Sequence, residues 1–132
     1  MILRIESRKV YADVPDPEWM EVQAALKNIN KKESRTCVVL RDETTDSYVK
    51  TYGSKRALAI EFQDAEGKKH LLGLGPEKPL DTTIQGTYGA VSVQLHEVLS
   101  VAHAYDVYEF FHRASIIPSR YSLREFDAQI PV

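Results

Sequence analysis

The chain has 132 residues, a length suited to one domain, and is 43% hydrophobic with seven Tyr, four Phe and one Trp, which is enough to build a core and excludes a disordered polymer. Its 17 basic and 19 acidic side chains leave a net charge of −2, which excludes the basic footprint that non-specific nucleic-acid or anionic-membrane binding needs. The single cysteine, Cys37, permits no internal disulfide and no cysteine-based zinc site.

At the amino terminus, Leu3 and Ile5 alternate with Arg4 and Glu6, the period of a strand, and the polar run Ser7-Arg8-Lys9 makes it an edge or partial strand. Few apolar residues precede Arg4, and no h-region or small-residue cleavage site is present, so the expected compartment is the cytoplasm. Next, Asp16 stands as a helix cap, Pro17 suits the first helical position and Glu18 the positive end of the dipole. Trp19, Val22, Leu26 and Ile29 then recur at spacings of three and four, which predicts a helix ending near Asn30.

The period changes to two in the middle of the chain. Thr36 to Leu40, Tyr48 to Tyr52, Leu58 to Phe62 and His70 to Leu74 read as four strands. The first three links, at 42–46, 53–54 and 64–67, carry Asx and Gly turn chemistry and are too short for helical crossovers, so these strands run antiparallel. After Gly75-Pro76 and a loop of about ten residues, Val91, Val93 and Leu95 alternate with Ser92, Gln94 and His96 as a fifth strand of this series. Ser100 caps a second helix whose apolar positions are 101, 104, 105, 108 and 111 and which stops before Pro118. Tyr121, Leu123 and Phe126 follow as a short strand or an irregular packed tail. The expectation is a single α+β domain over 1–132, with an antiparallel sheet of about five to six strands packed on one face by two helices.

Reactive side chains are scattered along this order. His103 and His112 stand nine apart on one predicted helix, about 13 Å along its axis, and His70 and His96 lie on other elements without a carboxylate cluster, so no metal site and no catalytic set is expected. Cys37 sits in an apolar run, where a thiol behaves as a small hydrophobe. Gly73-Leu74-Gly75-Pro76 lacks the Lys-Ser/Thr ending and following helix of a phosphate loop, and Gln85-Gly86-Thr87-Tyr88-Gly89 reads as a bulge or turn. No cofactor is expected.

Charge is uneven. From residue 42 to 66, Asp42, Glu43, Asp46, Glu61, Asp64 and Glu66 face only Lys50, Lys55 and Arg56. These acids are solvated turn residues that protect sheet edges, or a docking face for a basic partner with Tyr48 and Tyr52 as its flat anchors. Tyr48, Lys50 and Tyr52 share one strand face, so the tyrosines are either core or interface. The candidate partner-binding residues are therefore Asp42, Glu43, Asp46, Tyr48, Tyr52, Asp64 and Glu66.

The carboxy-terminal third runs Glu97-Val98-Leu99-Ser100-Val101-Ala102, then Tyr108-Glu109-Phe110-Phe111, then Ile117-Pro118-Ser119-Arg120-Tyr121-Ser122-Leu123-Arg124-Glu125-Phe126. It resembles the ending of the bacterial polymorphic-toxin immunity family called Imm, type one: a strand leading into a helix with an aromatic pair, a Pro-containing turn and a final segment. Leu123 stands where members commonly carry Trp. The resemblance implies a cytoplasmic, non-catalytic α+β protein that binds the effector domain of a cognate toxin and neutralises it by occlusion. The net charge of −2 argues against a nucleic-acid or membrane partner, and a homodimer stays open. A second reading is a small-molecule-binding or enzymatic domain with a pocket between the sheet and the 75–89 loop, lined by Tyr88, His70 and His96.

Overall fold

The computed structural model describes residues 1–7, 10–29 and 36–126. The chain runs β1 (Ile2–Glu6), β2 (Tyr11–Pro15), α1 (Trp19–Lys27), β3 (Cys37–Asp42), β4 (Ser47–Ser54), β5 (Ala57–Gln63) and β6 (Lys69–Gly73). It continues through β7 (Asp81–Gly86), β8 (Gly89–Gln94), a single 3₁₀ turn (Leu95–Glu97), α2 (Val101–Ala114) and β9 (Ser122–Glu125). The α+β architecture is as the periodicity predicts, but the sheet is larger: seven antiparallel strands in the order β2-β1-β3-β4-β5-β6-β9. β7 and β8 form a separate two-stranded hairpin.

Both helices pack on one face of the large sheet. Leu3, Val38, Leu40, Val49, Leu58, Ile60 and Leu72 supply the sheet side of that core, and Val22, Leu26, Ala104, Val107, Tyr108 and Phe111 supply the helix side. Strand alternation puts these sheet residues on one side, and the three-to-four spacing of the helices puts theirs opposite, so apolar surface leaves water on both partners at once. Tyr108, at the centre of this layer, donates its hydroxyl to the carbonyl of Val38 at 2.6 Å, and burial holds its proton well above the ordinary tyrosine range.

Local signals place the helices to within a turn. α1 is capped by Glu18 rather than Asp16, which takes a left-handed φ of 46° and whose amide bonds back to Met1. Glu21 accepts the Glu18 amide at 3.2 Å, so Asp16 and Pro17 belong to the approach to the helix. The helix stops at Lys27, and Asn30, like Arg8, Lys9 and the chain beyond Phe126, lies outside the described residues. Ser100 caps α2 as expected, with the ring of His103 accepting its amide at 3.1 Å.

Two strands escape the sequence pattern, for one reason. β2 is an edge strand exposed along most of its length, and β7 has a single buried apolar side chain, Ile84, so neither shows a run of alternating apolar residues. Cross-strand pairing makes them instead. Arg4 holds Asp13 through two bonds of 2.7 and 2.9 Å and lies 4.0 Å over the Tyr11 ring. The strand expected over 91–96 stops at Gln94, because Leu95 and His96 turn into the 3₁₀ segment, and it belongs to the hairpin and not to the main sheet. The tail resolves as strand β9, clamped because Arg124 reaches the carboxylate of Glu97, 1% exposed, through bonds of 2.9 and 2.8 Å.

The hairpin lies on the sheet face opposite the helices. Ile84 and Val93 pack there on Cys37, Tyr52, Ala59 and Leu71. Gly53 permits the approach: at φ 114° a Cβ would stand 2.5 Å from the Ala57 carbonyl and 2.8 Å from Ile84 Cγ2. The hairpin reaches over the middle of the sheet, and among the described residues the β2-β1-β3 side of that face is left uncovered.

Candidate functional site

Antiparallel meandering brings the β3–β4 and β5–β6 turns to the same end of the sheet, so Asp42, Glu43, Asp46, Asp64 and Glu66 gather there. Gln63 ties the two turns by donating to the Asp46 carbonyl at 3.1 Å. The five acids are not equivalent. Asp42 accepts the Ser115 hydroxyl at 2.6 Å and the Thr44 amide at 2.9 Å, bonds that hold its carboxyl below the ordinary aspartate range. Asp64 accepts the amides of Glu66 and Lys68 at 2.9 and 3.0 Å. These two shape their turns. Glu43, Asp46 and Glu66 are exposed and form the acidic rim.

Next to that rim, on the side away from the helices, lies a groove floored by β1, β3 and β4 and lined by Ile2, Arg4, Val39, Arg41, Tyr48 and Lys50, with Glu6 and Asp13 at its margin. Register explains the composition. Arg4, Val39 and Lys50 stand side by side across three strands, as do Ile2, Arg41 and Tyr48, and all six point away from the helical layer. Tyr48 is half-buried, and that burial, with Glu61 and Asp46 nearby, pushes its hydroxyl up to about 12, so it is a neutral donor at any physiological pH. Tyr88, at the hairpin tip, reaches Glu6 at 3.1 Å and closes one end of the groove.

Tyr52 does not join Tyr48 in this site. Although the two share a strand face, Tyr52 is 3% exposed beneath the hairpin and donates its hydroxyl to Glu61 at 2.7 Å, so it is core and unavailable to a partner. Period-two spacing tells which residues face alike; it carries no information on where a distant hairpin comes to rest. Conversely, nothing local in the sequence singles out Arg4, Val39 and Arg41. Their signal is the strand alternation itself, once the pairing of β1, β3 and β4 is known.

The histidines stay apart. His70 lies on the helix side, stacked on Phe62 with ring centroids 6.1 Å apart, whereas His96 lies on the opposite face against Gly73, its Nδ1 accepting the Lys78 amide at 3.1 Å. Tyr88 is at the hairpin tip on Glu6, so the pocket expected from Tyr88, His70 and His96 does not assemble. His103 caps α2 and His112 Nε2 lies 2.7 Å from the Pro17 carbonyl, both in structural roles. Among the described residues no group of three or more His, Cys, Asp or Glu side chains could hold a metal ion. Cys37 is fully buried, which pushes its thiol up. Among the described residues no helix is long and apolar enough to cross a membrane. No protein-family model matches the chain, and no curated protein matches it.

Proposed function

We propose that this chain is a non-catalytic, immunity-type protein that binds the effector domain of a bacterial toxin and neutralises it by occluding the toxin's working cleft. The observation that carries the reading is the juxtaposition of an uncovered, strand-built groove with an acidic rim at the same end of the sheet. A surface carried on paired strands is set before the partner arrives, which lowers the entropy cost of association. Half-buried Tyr48 at the junction of groove and rim has the amphipathic character of an interface anchor. The resemblance of the carboxy-terminal third to the Imm family, type one, supports the same class of partner, and β9 and α2, which carry it, frame the opposite side of the molecule.

A nuclease-like effector with a basic surface would be steered by Glu43, Asp46 and Glu66 and held by the groove. The test is co-expression with the toxin encoded beside this chain's gene. The parent chain restores growth, and the triple reversal Glu43→Lys, Asp46→Lys, Glu66→Lys slows association by about tenfold at low salt. Growth arrest in the presence of the folded parent chain rejects the immunity reading. An association rate untouched by the triple reversal removes the acidic rim from the mechanism.

A further inference from the structure

The groove carries both signs of charge, but its hydrogen-bonding capacity is spent unevenly. Its acids are engaged by neighbours: Asp13 by Arg4 at 2.7 and 2.9 Å, Glu6 by Tyr88 at 3.1 Å, and Glu61, next to the groove on β5, by Tyr52 at 2.7 Å. Its remaining donors are not. Arg41 comes no nearer than 3.8 Å to Asp46, with both side chains about half exposed or more, a contact of little worth in water. Among the described residues, Lys50 has no carboxylate within ion-pair distance, although it stands opposite Glu61 in the register, and the Tyr48 hydroxyl has no acceptor. Guanidinium, ammonium and phenol therefore open into one hollow with their donors free.

We infer that Arg41, Tyr48 and Lys50 form a carboxylate-binding notch that takes an aspartate or glutamate side chain presented by a protein partner. The inference rests on the reading that this face meets a protein, and not on which protein that is. Charge decides between a carboxylate and a phosphate chain. Glu43, Asp46 and Glu66 stand beside the notch, and the whole chain is −2, so a polyphosphate laid across it would bring many like charges against the rim. A single acidic side chain ringed by basic ones suits both. The partner surface complementary to this chain is thus two-signed: a basic collar that meets the rim, around an acidic residue that enters the notch.

The notch is tested on the whole chain alone, by NMR titration at low salt with a short peptide that carries one glutamate flanked by lysines. Saturable shifts are expected at Val39, Arg41, Tyr48 and Lys50, with affinity about tenfold weaker in Arg41→Gln or Lys50→Gln and several-fold weaker in Tyr48→Phe. Thermal unfolding of each variant shows that the fold is retained, since all three positions are on the open face. Absence of groove shifts in the parent chain, or equal affinity in the folded Arg41→Gln and Lys50→Gln variants, overturns the notch. So does a single-stranded oligonucleotide that binds the groove more tightly than the peptide. Because no toxin is present, lost peptide binding with intact growth rescue rejects the notch alone, and the reverse result rejects only the immunity reading.

Discussion

On the helix side of the sheet, seven buried apolar strand residues meet two helices, and the deep hydroxyl of Tyr108 is bonded to the Val38 carbonyl. On the other side, a smaller cluster around Tyr52, Leu71, Ile84 and Val93 covers the middle of the sheet, and the β2-β1-β3 side remains open and charged. The two faces arise from the same strands, one residue out of step. What separates them is the size of the lid: two helices close one face, while among the described residues a hairpin of six-residue strands leaves part of the other open. On the proposed reading, recognition falls on the open face and stability on the helix side, so a substitution among the exposed groove residues should leave the fold largely intact.

The strongest way to break this division is Phe111→Ala, which removes a fully buried ring from the centre of the helix-side layer. It should cost about 3–5 kcal/mol in chemical denaturation and abolish every binding property through loss of fold. A variant that loses stability by that amount yet keeps a separately folded outer face would show that the faces are independent units. Gly53→Ala probes the smaller lid. A Cβ there collides with Ala57, Leu58 and Ile84, so roughly 1–3 kcal/mol is expected, with hydrogen exchange accelerated in the β7–β8 hairpin more than in α2. Equal acceleration in both would mean that the hairpin is not a local layer.

The smallest effect sharpens the boundary between them. Ser115, at the end of α2, donates to Asp42 at the start of the acidic turn, and Ser115→Ala should cost about 1 kcal/mol at neutral pH. Because Asp42 has its carboxyl held below the unfolded value near 4, the bond stabilises the fold above that pH and the benefit is lost as pH falls through the native value. The gap between parent and variant should therefore close on acidification, as read from denaturation midpoints at falling pH. A gap that persists in strong acid would assign the effect to packing of the hydroxyl rather than to the carboxylate.

Much of this architecture was legible from residue order. Trp19, Val22, Leu26 and Ile29 mark α1, Ser100 marks the start of α2, and the turns at 42–46, 53–54 and 64–67 make β3 to β6 antiparallel neighbours. Each is a local signal, set by spacing or by turn chemistry within a few residues. The elements that were illegible, β2 and β7, have nothing local to announce them: Asp13 needs Arg4, and Ile84 needs the sheet beneath it. The same distinction divides the candidate site. The acidic turns could be read because their residues are close in sequence, whereas Ile2, Arg4 and Arg41 come together with Tyr48 only through pairing between strands up to about forty residues apart.

By itself, then, the order of residues determined the class of fold, the antiparallel run of the central strands, the dispersal of the histidines along the chain and the concentration of acid between residues 42 and 66. Only the folded molecule decided that Tyr52 is core and Tyr48 is surface, that His70 and His96 lie on opposite faces, and that the donors of Arg41, Tyr48 and Lys50 share one hollow. The reason is one of range. Periodicity and capping act through neighbours in the chain, but which of two equivalent strand faces a hairpin covers depends on where apolar side chains tens of residues apart can leave water together.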